Sequence, residues 1–122
     1  MTAADHLALA KKHLSRVQTA WDPPDWPDLA LYGFYCLENA VVAAALHCGI
    51  VTQRSHPAKA DAAKAKQLAS NHGLPDVSAL LVQLNDARKA EAYGDVVRPA
   101  LGSEDVAREI EEYVEAVEAL LG

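Results

Sequence analysis

The chain has 122 residues, enough for one domain with a single real core. Hydrophobic residues make up 51% and charged residues 23%, the balance of an ordinary globular protein, which excludes a disordered or collagen-like chain. The net charge of −6 is uneven: the first 98 residues carry ten Lys/Arg and ten Asp/Glu, so the whole excess falls after them, where Arg108 faces seven acids. No basic stripe of the kind that announces nucleic-acid binding is present.

The first helix is expected over Ala3 to Ala20, because Leu7, Ala10, Leu14, Val17 and Trp21 recur at spacings of 3, 4, 3 and 4. His6, Lys12, His13 and Arg16 lie mostly off that stripe and read as a solvated polar face. The WDPPDWPD segment, residues 21–28, reads as a breaker loop. Asp25 or Asp28 can cap the next helix, Pro27 suits an early helical turn, and Trp21 and Trp26 are expected to plug one end of the core.

Leu29 to Cys48 is the stretch around which the rest is organised. It is apolar nearly all the way round, which predicts a helix surrounded by other elements, with Phe34, Leu37, Val41 and Leu46 buried. Twenty residues could just span a bilayer, but Glu38, Asn39 and His47 inside the window favour a buried helix over a membrane span. Glu38 and Asn39 on such a helix need partners or a task. Cys36 and Cys48 are twelve positions apart, about 18 Å along one helix, and cannot bridge to each other. Two free thiols and no secretory leader imply a reducing cytoplasm.

Gly49 closes the second helix, and IVTQRSH leads to Pro57, which opens an Ala/Lys-rich helix ending at Gly73. Ala58, Ala62, Ala65 and Ala69 form its stripe with Leu68 alongside. Arg54, Lys59, Lys64 and Lys66 against Asp61 make it the one locally basic segment, read as a solvated face. Pro75 and Asp76 open a fourth helix with Val77, Leu80, Leu81, Leu84 and Ala87 inward, and Gly94 ends it. A last helix, capped by Ser103, repeats Val106, Ile110, Tyr113, Val117 and Leu120 at 4, 3, 4 and 3. Five helical segments with short connections predict an all-α antiparallel bundle of four or five helices in a single domain, residues 1–122.

No C-x-x-C, H-E-x-x-H, Gly-rich phosphate loop or G-x-S-x-G occurs, and His47, His56 and His72 lack metal-ligand spacing, so neither a metal nor a cofactor is expected. The segment that carries chemistry is LNDARKAEAYGD, Leu84 to Asp95. Asn85 and Arg88 are three apart on one face, and Asn85, Lys89 and Tyr93 are separated by four and four on an adjoining one. Their convergence near a helix end could hold a phosphate, since Arg offers paired planar donors. The structural alternative is a helix end where basic residues answer the dipole and Tyr93 packs on the fifth helix.

The long buried second helix, the Ala/Lys helix, the "LNxxRKxxxYG" segment and the final amphipathic helix together resemble a HEPN domain, the helical family named for nucleotide binding in prokaryotes and higher eukaryotes. The resemblance spans nearly the whole chain, mostly as helix pattern. It implies a HEPN-like bundle that pairs as a homodimer, and since in such bundles a polar residue of the second helix can face the Arg-bearing segment, it also implies a Glu38–Arg88 ion pair that would satisfy both charges. In HEPN ribonucleases the motif is Arg, four to six residues, then His. Arg88 matches the Arg and Lys89 the polar position after it, but Tyr93 stands where the His would be, and no His follows His72. Tyr, with a reference pKa of about 10, is a poor acid or base at neutral pH, so the departure argues against RNA cleavage.

The expected function is accordingly a non-catalytic, dimerising module in a toxin–antitoxin or defence setting. It would bind a nucleotide or a protein such as a nucleotidyltransferase, through Arg88, Lys89, Asn85, Glu38 and Asn39. The alternatives are a ribonuclease toxin acting on RNA through Arg88 and Tyr93, and a helical interaction protein unrelated to nucleic acid.

Overall fold

A computed structural model of the chain describes residues 1–50 and 57–122, with side chains from Lys59 onward in the second stretch. Arg54, His56 and Ala58, which the sequence places in or beside the basic segment, lie outside the described backbone or side chains. Among the described residues the regular elements are five helices: α1 (Ala3–Ala20), α2 (Trp26–His47), α3 (Pro57–His72), α4 (Ser78–Ala92) and α5 (Ser103–Leu121). The protein is an all-α helical bundle.

Local chemistry sets most of the boundaries. Thr2 and Asp5 form a reciprocal capping box: the Asp5 amide donates to Thr2 Oγ1 at 3.1 Å and the Thr2 amide to Asp5 Oδ2 at 2.9 Å. These hydrogen bonds hold the Asp5 carboxyl below its ordinary value. Asp25 caps α2 by accepting from the Asp28 amide at 3.2 Å. The helix therefore begins at Trp26, and Trp26, Pro27 and Asp28 form its first turn rather than the end of the loop. The α4 start is later than the Pro75–Asp76 signal suggests, since Asp76 Oδ1 accepts from the Ser78 amide at 2.9 Å and stands just before the helix. At α5 the cap is Gly102, and Ser103 is the first helical residue. Gly49, Gly73 and Gly94 follow the helices that they were expected to end.

The other four helices all pack on α2. By length and composition α2 is apolar enough to cross a membrane, yet 61% of its most apolar window is buried by the rest of the chain. The α1–α2 pair is antiparallel, with His6 beside Asn39, Ala10 beside Cys36, and His13 and Arg16 beside Tyr35 and Tyr32. The core is built from Val17 of α1, Leu29, Leu37 and Val41 of α2, Leu68 of α3, Leu81 and Leu84 of α4, and Val106, Ile110, Tyr113 and Val117 of α5. The expected stripe of α4 (Val77, Leu80, Leu81, Leu84, Ala87) is buried throughout, and Trp21 and Trp26 pack half-buried against the core.

Gly33 is the point of closest approach to α4 and α5. A Cβ there would lie 3.0 Å from Ile110 Cδ1 and 3.4 Å from Leu84 Cδ1. The absent side chain lets α2 come close to both.

Leu46 departs from expectation. It is 49% exposed, whereas Phe34, Leu37 and Val41 are buried. Leu31, Glu38, Val42 and Leu46 recur at helical spacing on the one side of α2 that the bundle leaves half-open. Both cysteines are free: Cys36 is buried and its thiol donates to Ala10 O at 3.2 Å, while Cys48 at the helix end is only half-buried. Burial pushes the Cys36 thiol up to about 12, so it is an inert packing group.

Candidate functional site

The half-open side of α2 is where polar groups from four helices meet. Arg88 of α4 lays its guanidinium over the Phe34 ring, 4.4 Å from the centroid, with the Tyr35 ring at 5.6 Å. This is cation–π geometry, which fixes a planar cation against an aromatic floor. Arg88 Nε is buried and has no hydrogen-bond partner among the described residues, and the same holds for Asn85 Oδ1, one turn earlier on the same face. Asn85 is itself buried inside the bundle.

Glu38 sits half-buried at the centre of this side. Burial raises its carboxyl above the ordinary value, and the Asp61 carboxylate adds to the rise; Arg88, Lys64 and His6 oppose it. Asp61 of α3 is almost fully buried, and burial raises its carboxyl as well, against the pull of Lys64, whose ammonium lies 3.4 Å from Asp61 Oδ1. No Glu38–Arg88 ion pair occurs within 4.0 Å among the described residues, so the expected direct pairing is replaced by a longer-range attraction. The Arg88 guanidinium lies instead over the Phe34 ring.

Asn39 faces the α1 side. Its Nδ2 donates to Tyr35 O at 2.9 Å, and its Oδ1 lies 3.0 Å from His6 Nδ1, which donates when that nitrogen carries the proton. His13 stacks against Tyr32 and lies tilted on Tyr35, with ring centroids 6.1 and 5.7 Å apart, and Arg16 sits 5.5 Å above the Tyr32 ring. Burial, followed by the nearby Lys12 charge, lowers the His13 imidazole below its ordinary value. A continuous surface thus runs Arg16, Tyr32, His13, Tyr35, Arg88, with Glu38 and Asn39 one turn further along α2.

Of the residues expected to form a site, Arg88, Glu38 and Asn39 share this surface. The other members of the α4 segment do not converge on it. Asn85 turns inward, Lys89 is exposed, and Tyr93 is 85% exposed at the C-cap of α4. The last turn is closed by Gly94, whose amide donates to Glu91 O at 3.0 Å while that of Asp95 reaches Ala90 O at 2.9 Å. This Schellman closure requires the left-handed backbone of Gly94 (φ 78°) and leaves the Tyr93 ring in solvent rather than on α5.

Conversely, His6, His13, Asp61 and Lys64 read as solvated-face residues in the sequence, yet the bundle draws all four toward α2 or its neighbours, while Arg16 stays exposed over the Tyr32 ring. A signal was present. The outward Tyr32, Tyr35, Glu38 and Asn39 of an otherwise apolar helix demand polar or aromatic company from whatever helix lies alongside. Among the described residues no three His, Cys, Asp or Glu side chains are grouped to hold a metal ion.

Comparison with protein-family models, with curated proteins and with solved structures finds no match.

Proposed function

We propose that the chain is a HEPN-like module without nuclease chemistry, which dimerises and binds a nucleotide or a protein partner such as a nucleotidyltransferase, in a toxin–antitoxin or defence setting. The observation that carries this reading is Arg88: a half-buried guanidinium on an aromatic floor, whose Nε has no hydrogen-bond partner among the described residues, near the half-buried Glu38 carboxyl. An arginine so placed can offer its remaining edge to a phosphate or carboxylate without first being ordered. Tyr93, the residue in the position of the nuclease His, is 85% exposed and stands apart from the Arg88 surface. The Arg88 surface therefore supports binding better than proton transfer.

The test is calorimetric titration with ATP, GTP and a short labelled RNA, on the unmodified protein and on Arg88→Ala. Loss of a charge-assisted hydrogen bond should weaken binding by roughly 1.5 to 3 kcal/mol. Affinities indifferent to Arg88 would return the residue to a packing role. Sedimentation at micromolar concentration should show a dimer, and a 13.1 kDa species alone would count against pairing.

The ribonuclease reading draws on a separate observation, the exposure of Tyr93, which a second copy could meet across an interface. RNA cleavage by the unmodified protein, abolished by both Arg88→Ala and Tyr93→Phe, would favour it.

A further inference from the structure

Glu38 and Arg88 stand on the same half-open side of α2 and form no ion pair within 4.0 Å. Phe34 and Tyr35, the two rings beside the Arg88 guanidinium, precede Glu38 by four and three residues. The carboxyl therefore lies one helical turn along from the aromatic floor, a rise of about 5 Å. An oxyanion held by the open part of Arg88 would have this carboxyl as its neighbour.

The charged groups that face Glu38 come from three helices. Asp61 and Lys64 of α3 lie 3.4 Å from each other and largely answer one another's charge. His6 of α1 is engaged with Asn39 at 3.0 Å. Arg88 of α4 is the remaining cation, and α5 contributes no charge here among the described residues. Half-buried, an ionised Glu38 is less screened by water than a surface carboxylate, so it repels a neighbouring anion more strongly. A protonated Glu38 exerts no such repulsion and gains an O–H donor beside the arginine. Burial and the Asp61 carboxylate already push Glu38 toward that form.

We propose that Glu38 sets which oxyanions the Arg88 surface accepts: ionised it repels them according to their charge, and protonated it donates to them, so that the surface takes up an oxyanion together with a proton. This rests on the reading of Arg88 as a binding residue and adds the charge selectivity of its site. The sign follows from linkage. A bound anion raises the Glu38 carboxyl further, so affinity falls as pH rises from the ordinary value of 4.5 through the raised one.

The experiment titrates the full chain with sulfate, a dianion, and methyl sulfate, a monoanion, whose charges stay fixed from pH 4.5 to neutral. The Arg88 Nε–Hε signal in NMR spectra reports binding. Sulfate affinity should fall by about fivefold or more over that range, and methyl sulfate affinity by about half as much on a logarithmic scale. Glu38→Gln, which keeps the shape and removes the charge, should abolish most of the fall and strengthen sulfate binding at neutral pH. His6→Gln/His13→Gln, which removes the imidazoles of the same surface, should keep most of it. A fall that survives Glu38→Gln, or one that the histidine variant abolishes, would overturn the proposal. Sulfate binding that is lost in Arg88→Met but indifferent to pH would overturn it and leave the Arg88 reading standing. Absence of binding by the unmodified protein and by Glu38→Gln at either end of the range would remove both.

Discussion

The guanidinium of Arg88 lies 4.4 Å above the ring of Phe34, a buried residue of α2, and its Nε is sealed from solvent without a hydrogen-bond partner among the described residues. The contact joins α4 to α2 through both packing and charge. Replacing Arg88 with Met keeps most of the aliphatic cover and removes the cation, so Arg88→Met should cost about 1 kcal/mol, within the range of partly desolvated cation–π contacts. Arg88→Ala removes the cover too and should cost more. Urea unfolding of both variants checks this, and equal stabilities would mean that the aliphatic stem contributes nothing.

Gly33 gives the sharpest prediction about packing. Ile110 and Leu84, the side chains that a new Cβ would meet, are themselves fully buried and have little room to yield. Gly33→Val should destabilise by about 2 kcal/mol or more through overpacking, despite replacing a helix-weakening glycine. Thermal denaturation would show a lowered midpoint; a raised one would mean that α2 can move away from α5.

Val41 is fully buried in the middle of α2. Val41→Asp places an unpaired charge in the core and should cost on the order of 3 kcal/mol or more. An unchanged thermal midpoint would contradict the central position of α2.

Glu38 and Asp61 give the fold a dependence on pH. Both carboxyls titrate higher in the folded protein than their ordinary values of 4.5 and 3.8. Their protonated forms are therefore favoured by folding. The stability that they contribute is fully present below those ordinary values and is lost as pH rises through the raised ones. Asp5 and Asp76 titrate lower when folded and act in the opposite sense, losing their contribution as pH falls below 3.8 toward their depressed values. In urea unfolding the two carboxyls should make stability decline as pH rises above those ordinary values, while His13, lowered by burial, opposes the decline as pH approaches 6.5. Glu38→Gln should flatten that decline, because the amide carries no charge to desolvate. A variant whose pH profile matched that of the unmodified protein would assign the dependence to other groups.

The helices and most of their C-terminal ends were legible in the sequence because local interactions set them, while the starts of α2, α4 and α5 lie one to three residues from the expected ones. The Asp25 cap, the glycines after α2, α3 and α4, and the stripes of α1, α4 and α5 all act within a few residues. Composition also singled out α2 as the centre, since a helix apolar on nearly every side needs neighbours on nearly every side. The tertiary structure alone decided which side of α2 stays half-open. Helical spacing groups Leu46 with other apolar residues, but only the placement of the neighbouring helices leaves it exposed while Val41 is covered. The same placement brings His6, Asp61 and Lys64 near Glu38, although each reads as a surface residue of its own helix. Tyr93 shows the limit most clearly. Its spacing from Asn85 and Lys89 puts the three on one side of a helix, yet the face runs from the buried interior to the solvated end, so Asn85 is enclosed and Tyr93 is not. Periodicity specifies which residues share a face, and the packing of one helix against another specifies what that face meets.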